Sequence, residues 1–204
     1  HLLVGTTDTP LNEHSLEPRA LKEEVDFIMA TAASYFKTKP VETDILSVFS
    51  GLRPLAAPTN GDSSSTKEIS RDHKLVVSAK GLITITGGKW TTYRRMAEET
   101  VDLAIMHANL SANPCITKTL KIHGSTETKG NHHLDIYGTD RANIEKLGQQ
   151  EPELNEKLHP AFPYIKAEVV WSARNEMAET IEDILSRRLR ILFIDAYAAK
   201  EMAP

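Results

Sequence analysis

The sequence predicts an α+β protein, in which strands and helices of one domain are followed by a small all-α C-terminal domain. Three features support this prediction. Apolar runs of strand length occur at residues 74–78 and 82–86. Apolar residues recur at helical spacing after residue 139. Between these parts, residues 109–131 are rich in Ser, Asn, Thr, Pro and Gly, so we expect domains at residues 1–124 and 125–204.

The first domain is expected to open with a strand at residues 2–7. A helix should follow, because Pro18 suits a first helical position and the residue before Pro40 resists helical backbone. Further extended segments are expected at residues 45–50 and 120–122, with an exposed loop at residues 56–66.

A hairpin is expected next, because a turn ending at Gly81 separates the runs 74–78 and 82–86. A helix should then begin just after Lys89, with Thr91 or Thr92 as its cap.

The predicted all-α domain contains several short helices. Thr139 can cap the first of these, which should end near Gly148, and a short one should follow Pro152. A longer helix should lead to one capped by Thr180, and the last should run to the end of the chain.

Composition bounds the function. The chain has 204 residues, a net charge of −4 and one cysteine, Cys115. The negative charge gives no support to a nucleic-acid partner. No apolar run approaches the roughly 18–20 residues of a membrane span. A single cysteine cannot form an internal disulfide, which favours a reducing compartment such as the cytoplasm.

The two ends of the sequence suggest that the chain belongs to a longer protein. It starts at His1, directly in the predicted first strand, and stops at Pro204 without a glycine cap. We therefore expect unpaired strand edges near Gly5 and Leu82, which favour dimerisation or strand exchange.

The turn Gly87-Gly88-Lys89 is the sharpest chemical feature, because it joins a predicted strand to a predicted helix. Glycines let backbone N–H groups approach a ligand, the helix start adds partial positive charge, and Lys89 adds a full charge. Together they suit a phosphate, a carboxylate or a reduced flavin ring. The turn is not a Walker loop, since Ile83 and Trp90 occupy required positions. The alternative is that the glycines serve backbone geometry alone.

Two arginines are candidate anion ligands. Arg53 lies at the end of a predicted strand, where its guanidinium could hold a phosphate through two parallel hydrogen bonds. Arg71 is similar, although Asp72 beside it also fits an ordinary surface turn. Both arginines could equally be plain surface residues.

No metal site or catalytic nucleophile is predicted. His132, His133 and Asp135 lie close in sequence, but neighbouring histidines in a strand would point to opposite faces and no further ligand has a suitable spacing. Cys115 has no nearby base in the sequence. Arg187, Arg188 and Arg190 are expected on a solvated or salt-bridged helix face rather than in a binding patch, and Asp183 is spaced to pair with Arg187.

These segments, in this order, closely resemble the C-terminal part of the FAD-dependent, quinone-linked glycerol-3-phosphate dehydrogenases. The resemblance covers nearly the whole chain and is less sharp in the tail. The matching segments are Val4-Gly5-Thr6-Thr7-Asp8-Thr9-Pro10, Ser50-Gly51-Leu52-Arg53-Pro54-Leu55, Ile69-Ser70-Arg71-Asp72-His73 and Gly81-Leu82-Ile83-Thr84-Ile85-Thr86-Gly87-Gly88-Lys89-Trp90-Thr91-Thr92-Tyr93-Arg94.

The resemblance implies oxidation of sn-glycerol 3-phosphate to dihydroxyacetone phosphate, with electrons passed through FAD to a membrane quinone. It implies that residues 1–124 belong to the flavin and substrate-binding domain. It further implies substrate contacts from Arg53, Arg71, Lys89 and Thr7. The implied flavin contacts are Gly87, Gly88, Lys89, Trp90, Thr91 and Thr92.

The resemblance also implies what this chain lacks. The glycine fingerprint that holds the ADP part of FAD and the general base match nothing in this sequence, so we assign no catalytic residue and expect the isolated chain to be inactive. The full-length enzyme is expected to form a homodimer and to associate peripherally with the inner membrane. The alternative is a non-enzymatic module whose helical tail docks onto a subunit or a membrane surface.

Overall fold

The computed structural model describes residues 1–11, 13, 15–53, 72–127 and 130–204. The chain divides into two compact units. The helical unit comprises residues 1–8, 19–50 and 121–204, and the hairpin unit comprises residues 9–18 and 51–120. The predicted α+β class is confirmed, since helices and an antiparallel sheet occur together. The domain boundary after residue 124 stays a prediction.

The hairpin unit contains the predicted hairpin and the helix that follows it. Strand β1 spans His73–Val77 and pairs antiparallel with β2 at Ile83–Gly87, so that His73 lies opposite Gly87. A 3₁₀ turn at Trp90–Thr92 then leads into helix α2 at Tyr93–Ala108. The predicted hairpin and the predicted helix after it are therefore confirmed. Both were predicted from short stretches of sequence.

The helical unit begins with helix α1, at Lys22–Tyr35, and contains the predicted helices of the tail. Its remaining helices are α3 (Arg141–Gln150), α4 (Lys166–Asn175), α5 (Ile191–Ile194) and α6 (Ala196–Met202). Shorter 3₁₀ segments lie at Glu42–Asp44, His133–Asp140 and Pro152–Asn155, and a π-helical segment lies at Asp183–Arg188. The sequence of short helices is therefore confirmed.

Two small apolar clusters form the core of the helical unit. One cluster joins Leu134, Ile144, Leu154 and Ala167. The other joins Leu185, Leu189, Ile191 and Ala199. Among the described residues, no helix is both long and apolar enough to cross a membrane.

The predicted strands at residues 2–7, 45–50 and 120–122 are wrong. In the described part of the chain the sheet has two strands, β1 and β2. A strand needs a neighbouring ladder for its backbone hydrogen bonds, and the three segments form none with the described residues. Two of them bond elsewhere: Leu46 O accepts from Ala196 N, and Leu120 N donates to Ile116 O in a turn.

The predicted start of α1 near Pro18 is also wrong, because the helix begins at Lys22. The Glu24 carboxylate accepts a hydrogen bond from Leu21 N over 3.0 Å, which satisfies a donor at the helix start. The predicted end before Pro40 is confirmed. Near the other end of the chain, Thr180 Oγ1 accepts from Asp183 N over 3.1 Å, which confirms the predicted cap.

Candidate functional site

The turn between β2 and α2 depends on its two glycines. Gly87 and Gly88 have φ angles of 75° and 85°, a left-handed conformation that other residues rarely adopt. A Cβ atom on Gly88 would lie 2.5 Å from Met96 Sδ and 3.3 Å from His73 Cβ. The backbone geometry therefore demands glycine here. That demand agrees with both predicted interpretations, the anion site and the simple turn.

Lys89 and Thr92 close the turn against each other. Thr92 Oγ1 donates to Lys89 O over 3.0 Å and accepts from Lys89 N over 3.3 Å. Thr92 precedes the first residue of α2, but its side chain accepts no hydrogen bond from an N–H group of that helix. The predicted side-chain cap at Thr92 is therefore wrong. A local side-chain bond to the backbone competes here with capping. Tyr93 N, the first donor of α2, bonds to Trp90 O, so the positive end of the helix dipole at this turn includes the 3₁₀ turn Trp90–Thr92.

An exposed aromatic surface lies beside Lys89. The rings of Trp90 and Tyr93 stack with centroids 5.3 Å apart, and Trp90 is 85% exposed. Thr91 lies between them in the 3₁₀ turn. The turn thus presents backbone donors, a lysine and a flat aromatic face on neighbouring residues.

The positive charges near the turn differ in their pairing. Arg94 pairs with Glu98 at 2.8 Å, and Arg95 pairs with Glu99 at 2.6 Å. None of the ion pairs found among residues 72–127 involves Lys89. The arginines on α2 are therefore compensated, while Lys89 adds net positive charge at the helix start.

The ion pairs on α2 change the pKa values of their carboxylates, Glu98 and Glu99. The hydrogen bond from Arg94 lowers the pKa of Glu98 below its ordinary value. The hydrogen bond from Arg95, followed by that from His73, lowers the pKa of Glu99. His73 Nε2 lies 2.6 Å from Glu99 Oε2, so the carboxylate links the start of β1 to α2.

The other predicted substrate residues lie in different parts of the chain. Arg53 is exposed and lies outside the helices and strands, in the hairpin unit. Arg71 lies outside the described residues. Thr7, in the helical unit, donates its hydroxyl to Glu24 Oε1 over 2.9 Å. The convergence of these residues with Lys89 on one phosphate stays a prediction.

The histidine pair has a structural role at the start of the 3₁₀ segment. His132 Nδ1 accepts from Leu134 N over 3.2 Å, and Asp135 Oδ2 accepts from His132 N over 2.8 Å. The rings of His132 and His133 lie 4.6 Å apart, so our expectation of opposite strand faces is wrong, because the segment is helical. Within the described ranges, no group of three or more His, Cys, Asp or Glu side chains could hold a metal ion.

The helical unit contains a buried polar cluster that the sequence did not predict. Glu168 is fully buried, and its Oε1 accepts from the Tyr137 hydroxyl over 3.1 Å. Its Oε2 accepts from Ile165 N over 2.8 Å and lies 3.4 Å from His133 Nε2. The signal available in the sequence was a glutamate next to Val169 and Val170, within the longer helix predicted before Thr180.

Burial governs the acidity of this cluster. Loss of solvation raises the pKa of Glu168 and that of Tyr137 above their ordinary values. Loss of solvation, followed by the charge of His132, lowers the pKa of His133. Each shift favours the neutral form of the side chain, so the cluster has the character of a polar core rather than of an exposed reactive site.

Comparison with known proteins places this chain in a family. Residues 81–204 match the family described as the C-terminal domain of alpha-glycerophosphate oxidase. A probable mitochondrial glycerol-3-phosphate dehydrogenase of Caenorhabditis elegans is 36% identical over 228 residues, which cover 99% of this chain and 31% of that protein. The mitochondrial glycerol-3-phosphate dehydrogenase of Mus musculus is 36% identical over 226 residues, covering 99% and 30%.

A bacterial relative gives a similar match. Glycerol-3-phosphate dehydrogenase 2 of Mycobacterium tuberculosis is 35% identical over 210 residues, covering 94% of this chain and 35% of that protein. The chain thus spans about a third of the length of the curated relatives it matches. With more than half of its residues inside the match, the chain belongs to the family of the C-terminal domain of alpha-glycerophosphate oxidase.

Proposed function

We propose that this chain forms the C-terminal part of an FAD-dependent dehydrogenase that oxidises sn-glycerol 3-phosphate to dihydroxyacetone phosphate. Family membership and the names of the relatives support the substrate and the reaction. The observation that carries the proposal is the turn from β2 to α2, where Lys89 adds net positive charge to the N-terminal end of a 16-residue helix. This is a suitable environment for an anionic ligand.

The flavin is proposed to lie against residues 87–92. The left-handed backbone at Gly87 and Gly88 fits the close approach of a flat ring, since a glycine presents no Cβ to a ligand. FAD would supply the chemistry, by accepting a hydride from C2 of the substrate. The residues of the turn would supply orientation and charge. Lys89 and the positive end of the helix dipole would stabilise negative charge on the ring, as preorganised dipoles do.

The substrate phosphate is proposed to contact Arg53, Arg71, Lys89 and Thr7. A guanidinium offers two parallel donors to a phosphate, and an ammonium adds a point charge. The hydroxyl of Thr7 donates to Glu24, so it would have to leave this partner before it could donate to a phosphate oxygen. Arg53 and Lys89 belong to the hairpin unit, which makes these two the first to test.

The isolated chain is proposed to have no enzymatic activity. No general base is assigned to it, and the contacts that hold the ADP part of FAD are proposed to lie in the remaining two thirds of a protein as long as the relatives. The full-length enzyme would pass electrons to a quinone, with peripheral association at the inner membrane. A homodimer is proposed as the oligomeric state.

Calorimetric titration of the isolated chain with FAD, and separately with glycerol 3-phosphate, tests its partial nature. We expect no binding tighter than the millimolar range, because one turn supplies few of the contacts that a dinucleotide needs. Micromolar binding of FAD would contradict the proposal, since it would show a complete nucleotide site in this chain.

A pair of lysine variants in the full-length protein tests the role of the turn. Lys89→Met should lower kcat/KM for glycerol 3-phosphate by roughly 10- to 100-fold, the usual effect of losing one charge-assisted hydrogen bond. Lys80→Met is the matched control, because Lys80 is exposed at the opposite end of the same hairpin. Equal activity of the Lys89→Met variant and the wild type would remove Lys89 from the site.

A further inference from the structure

His73 packs against the turn that joins β2 to α2. It is the first residue of β1, and its partner across the hairpin is Gly87, the last residue of β2. A Cβ atom on Gly88 would lie 3.3 Å from the Cβ of His73, so the backbone of the turn rests on this residue. The side chain of His73 is only 17% exposed. His73 therefore supports the turn and is not part of its exposed aromatic surface.

The side chain of His73 is bonded to α2. Its Nε2 lies 2.6 Å from Glu99 Oε2, and Glu99 Oε1 accepts from Arg95 Nε over 2.6 Å. The hydrogen bond from Arg95, followed by that from His73, lowers the pKa of Glu99, which favours the ionised carboxylate. An ionised carboxylate only accepts hydrogen bonds, so Nε2 of His73 carries a hydrogen and donates it.

We propose that His73 is a positioning residue for the flavin, because it joins the open end of the hairpin to α2 and so fixes the turn between them. This inference rests on the proposed function, in which residues 87–92 contact the flavin. His73 acts through its two neighbours, Gly88 in the turn and Glu99 on α2.

The physical reason is that the turn cannot hold its own geometry. Gly87 and Gly88 are the two residues between β2 and Lys89 whose left-handed backbone only glycine adopts readily, and glycine restricts the chain least. The direction of α2 relative to the hairpin must therefore be fixed by contacts outside the turn.

Two such contacts lie on one face of α2. Met96 packs against Gly88, and Glu99, three positions further along the helix, accepts the bond from His73. A lysine and a helix dipole stabilise a ligand best when they are oriented before it binds. Loss of the bond from His73 should therefore weaken flavin binding, although no group that touches the flavin is removed.

Affinity for FAD, measured on the full-length protein freed of its cofactor through the change in flavin fluorescence, tests this role. His73→Leu keeps the Cβ beside Gly88 and removes the donor to Glu99. It should raise the Kd for FAD by about 5- to 30-fold, the range expected for loss of one hydrogen bond to a charged group. His73→Gln returns an N–H donor to the side chain and should bring the Kd back to within about 3-fold of the wild type.

His107→Leu is the matched control. His107 also lies between α2 and the hairpin, but at the opposite end, where its Nε2 would be 3.3 Å from a Cβ atom on Gly81. This variant removes a histidine from the same pair of elements without touching the turn, so the Kd for FAD should stay unchanged.

Lys89→Met, measured in parallel, distinguishes failure of this inference from failure of the proposed function. If Lys89→Met raises the Kd and His73→Leu does not, His73 is not a positioning residue and the flavin contact of the turn stands. If His107→Leu raises the Kd as much as His73→Leu, or if His73→Gln fails to restore it, the effect is a general loss of packing and the inference is overturned. If neither Lys89→Met nor His73→Leu changes the Kd, the proposed flavin contact fails, and the inference fails with it.

Discussion

Tyr137 donates its hydroxyl hydrogen to Oε1 of Glu168 over 3.1 Å, and the receiving carboxyl is fully buried. A buried carboxyl without donors is costly, since it has left water for a medium of low polarity. The bond from Tyr137, which lies 31 positions earlier in the sequence, joins the 3₁₀ segment His133–Asp140 to α4. The pair therefore links two elements of the helical unit through its interior.

Removing the tyrosine hydroxyl should destabilise the helical unit. We expect Tyr137→Phe to lower its free energy of unfolding by about 1–3 kcal/mol, because Glu168 Oε1 would lose this donor inside the protein. The fluorescence of Trp171, in a Trp90→Phe background, reports on this unit alone, since the chain has two tryptophans. Tyr197→Phe is the control, because Tyr197 is 69% exposed. Equal effects of the two variants would contradict the role of the bond.

Glu168 should make stability depend on pH. Burial raises its pKa in the folded protein above the ordinary value of 4.5. Between the two pKa values the folded chain holds a proton that the unfolded chain has released, so stability falls as pH rises through this window. Relative to Glu168→Gln, the wild type should lose stability from pH 4.5 up to the folded pKa and then stay level. Urea unfolding at several pH values measures this difference, and a rise with pH would refute the shift.

Titration of His133 should make stability change with pH in the opposite direction. Burial lowers its pKa in the folded protein below the ordinary value of 6.5. As pH falls below 6.5 the unfolded chain takes up the proton first, so stability falls with pH until the folded pKa is reached. The wild type should therefore gain stability over His133→Gln as pH rises towards 6.5. The same unfolding series tests this, and a constant difference would show that His133 titrates normally.

The elements that the sequence predicted well are those with local signals. Helix α2 and the β1–β2 hairpin follow from short-range periodicity and a glycine turn, and the structure has both. The extended segment at residues 45–50 also has a local signal, but an apolar run does not specify its partner. Its hydrogen bonds go to α5 and α6, helix ends about 145 positions away, which no local pattern reveals.

The same distinction holds for functional residues. The glycine turn with Lys89 was predicted because its chemistry lies within three consecutive positions. The burial of Glu168 was not predicted, because it depends on Tyr137 and His133 packing over α4. A glutamate near a helix start is ordinarily exposed and assists capping. Only the tertiary contacts make this glutamate a buried group.

Gly88 offers a test of the turn that needs no ligand. Gly88→Ala should destabilise the hairpin unit by about 1–3 kcal/mol, because alanine resists a φ of 85° and its Cβ would press on Met96 Sδ. Hydrogen exchange of the β1 and β2 amides measures the loss. Gly51→Ala is the control, since a Cβ there meets nothing within 4 Å, and its effect should stay within about 0.5 kcal/mol. Unchanged exchange in Gly88→Ala would show that the turn tolerates a side chain.

Two neighbouring arginines of the π-helical segment should differ sharply in their effect on stability. Arg187 pairs with Asp183 at 2.9 Å, which confirms the predicted ion pair, and its side chain is 53% exposed. Arg188, 23% exposed, donates through Nε and a terminal nitrogen to the carbonyl of Glu176, in the connection after α4. Arg188 Nε also lies 3.6 Å from Glu176 Oε2, so the expectation of a solvated or salt-bridged face is confirmed for both arginines.

Arg188→Ala should lower the free energy of unfolding of the helical unit by about 1–3 kcal/mol, because the Glu176 carbonyl would lose both donors. Arg187→Ala should change it by less than about 0.5 kcal/mol, since water screens an exposed ion pair. Trp171 fluorescence suits this measurement too, because its Nε1 donates to Glu176 Oε1 over 3.2 Å. Addition of about 1 M salt should weaken the small Arg187 effect and spare most of the Arg188 effect, since salt screens exposed charges far more than buried contacts. Comparable losses in the two variants would contradict the role of the bonds from Arg188 to the Glu176 carbonyl.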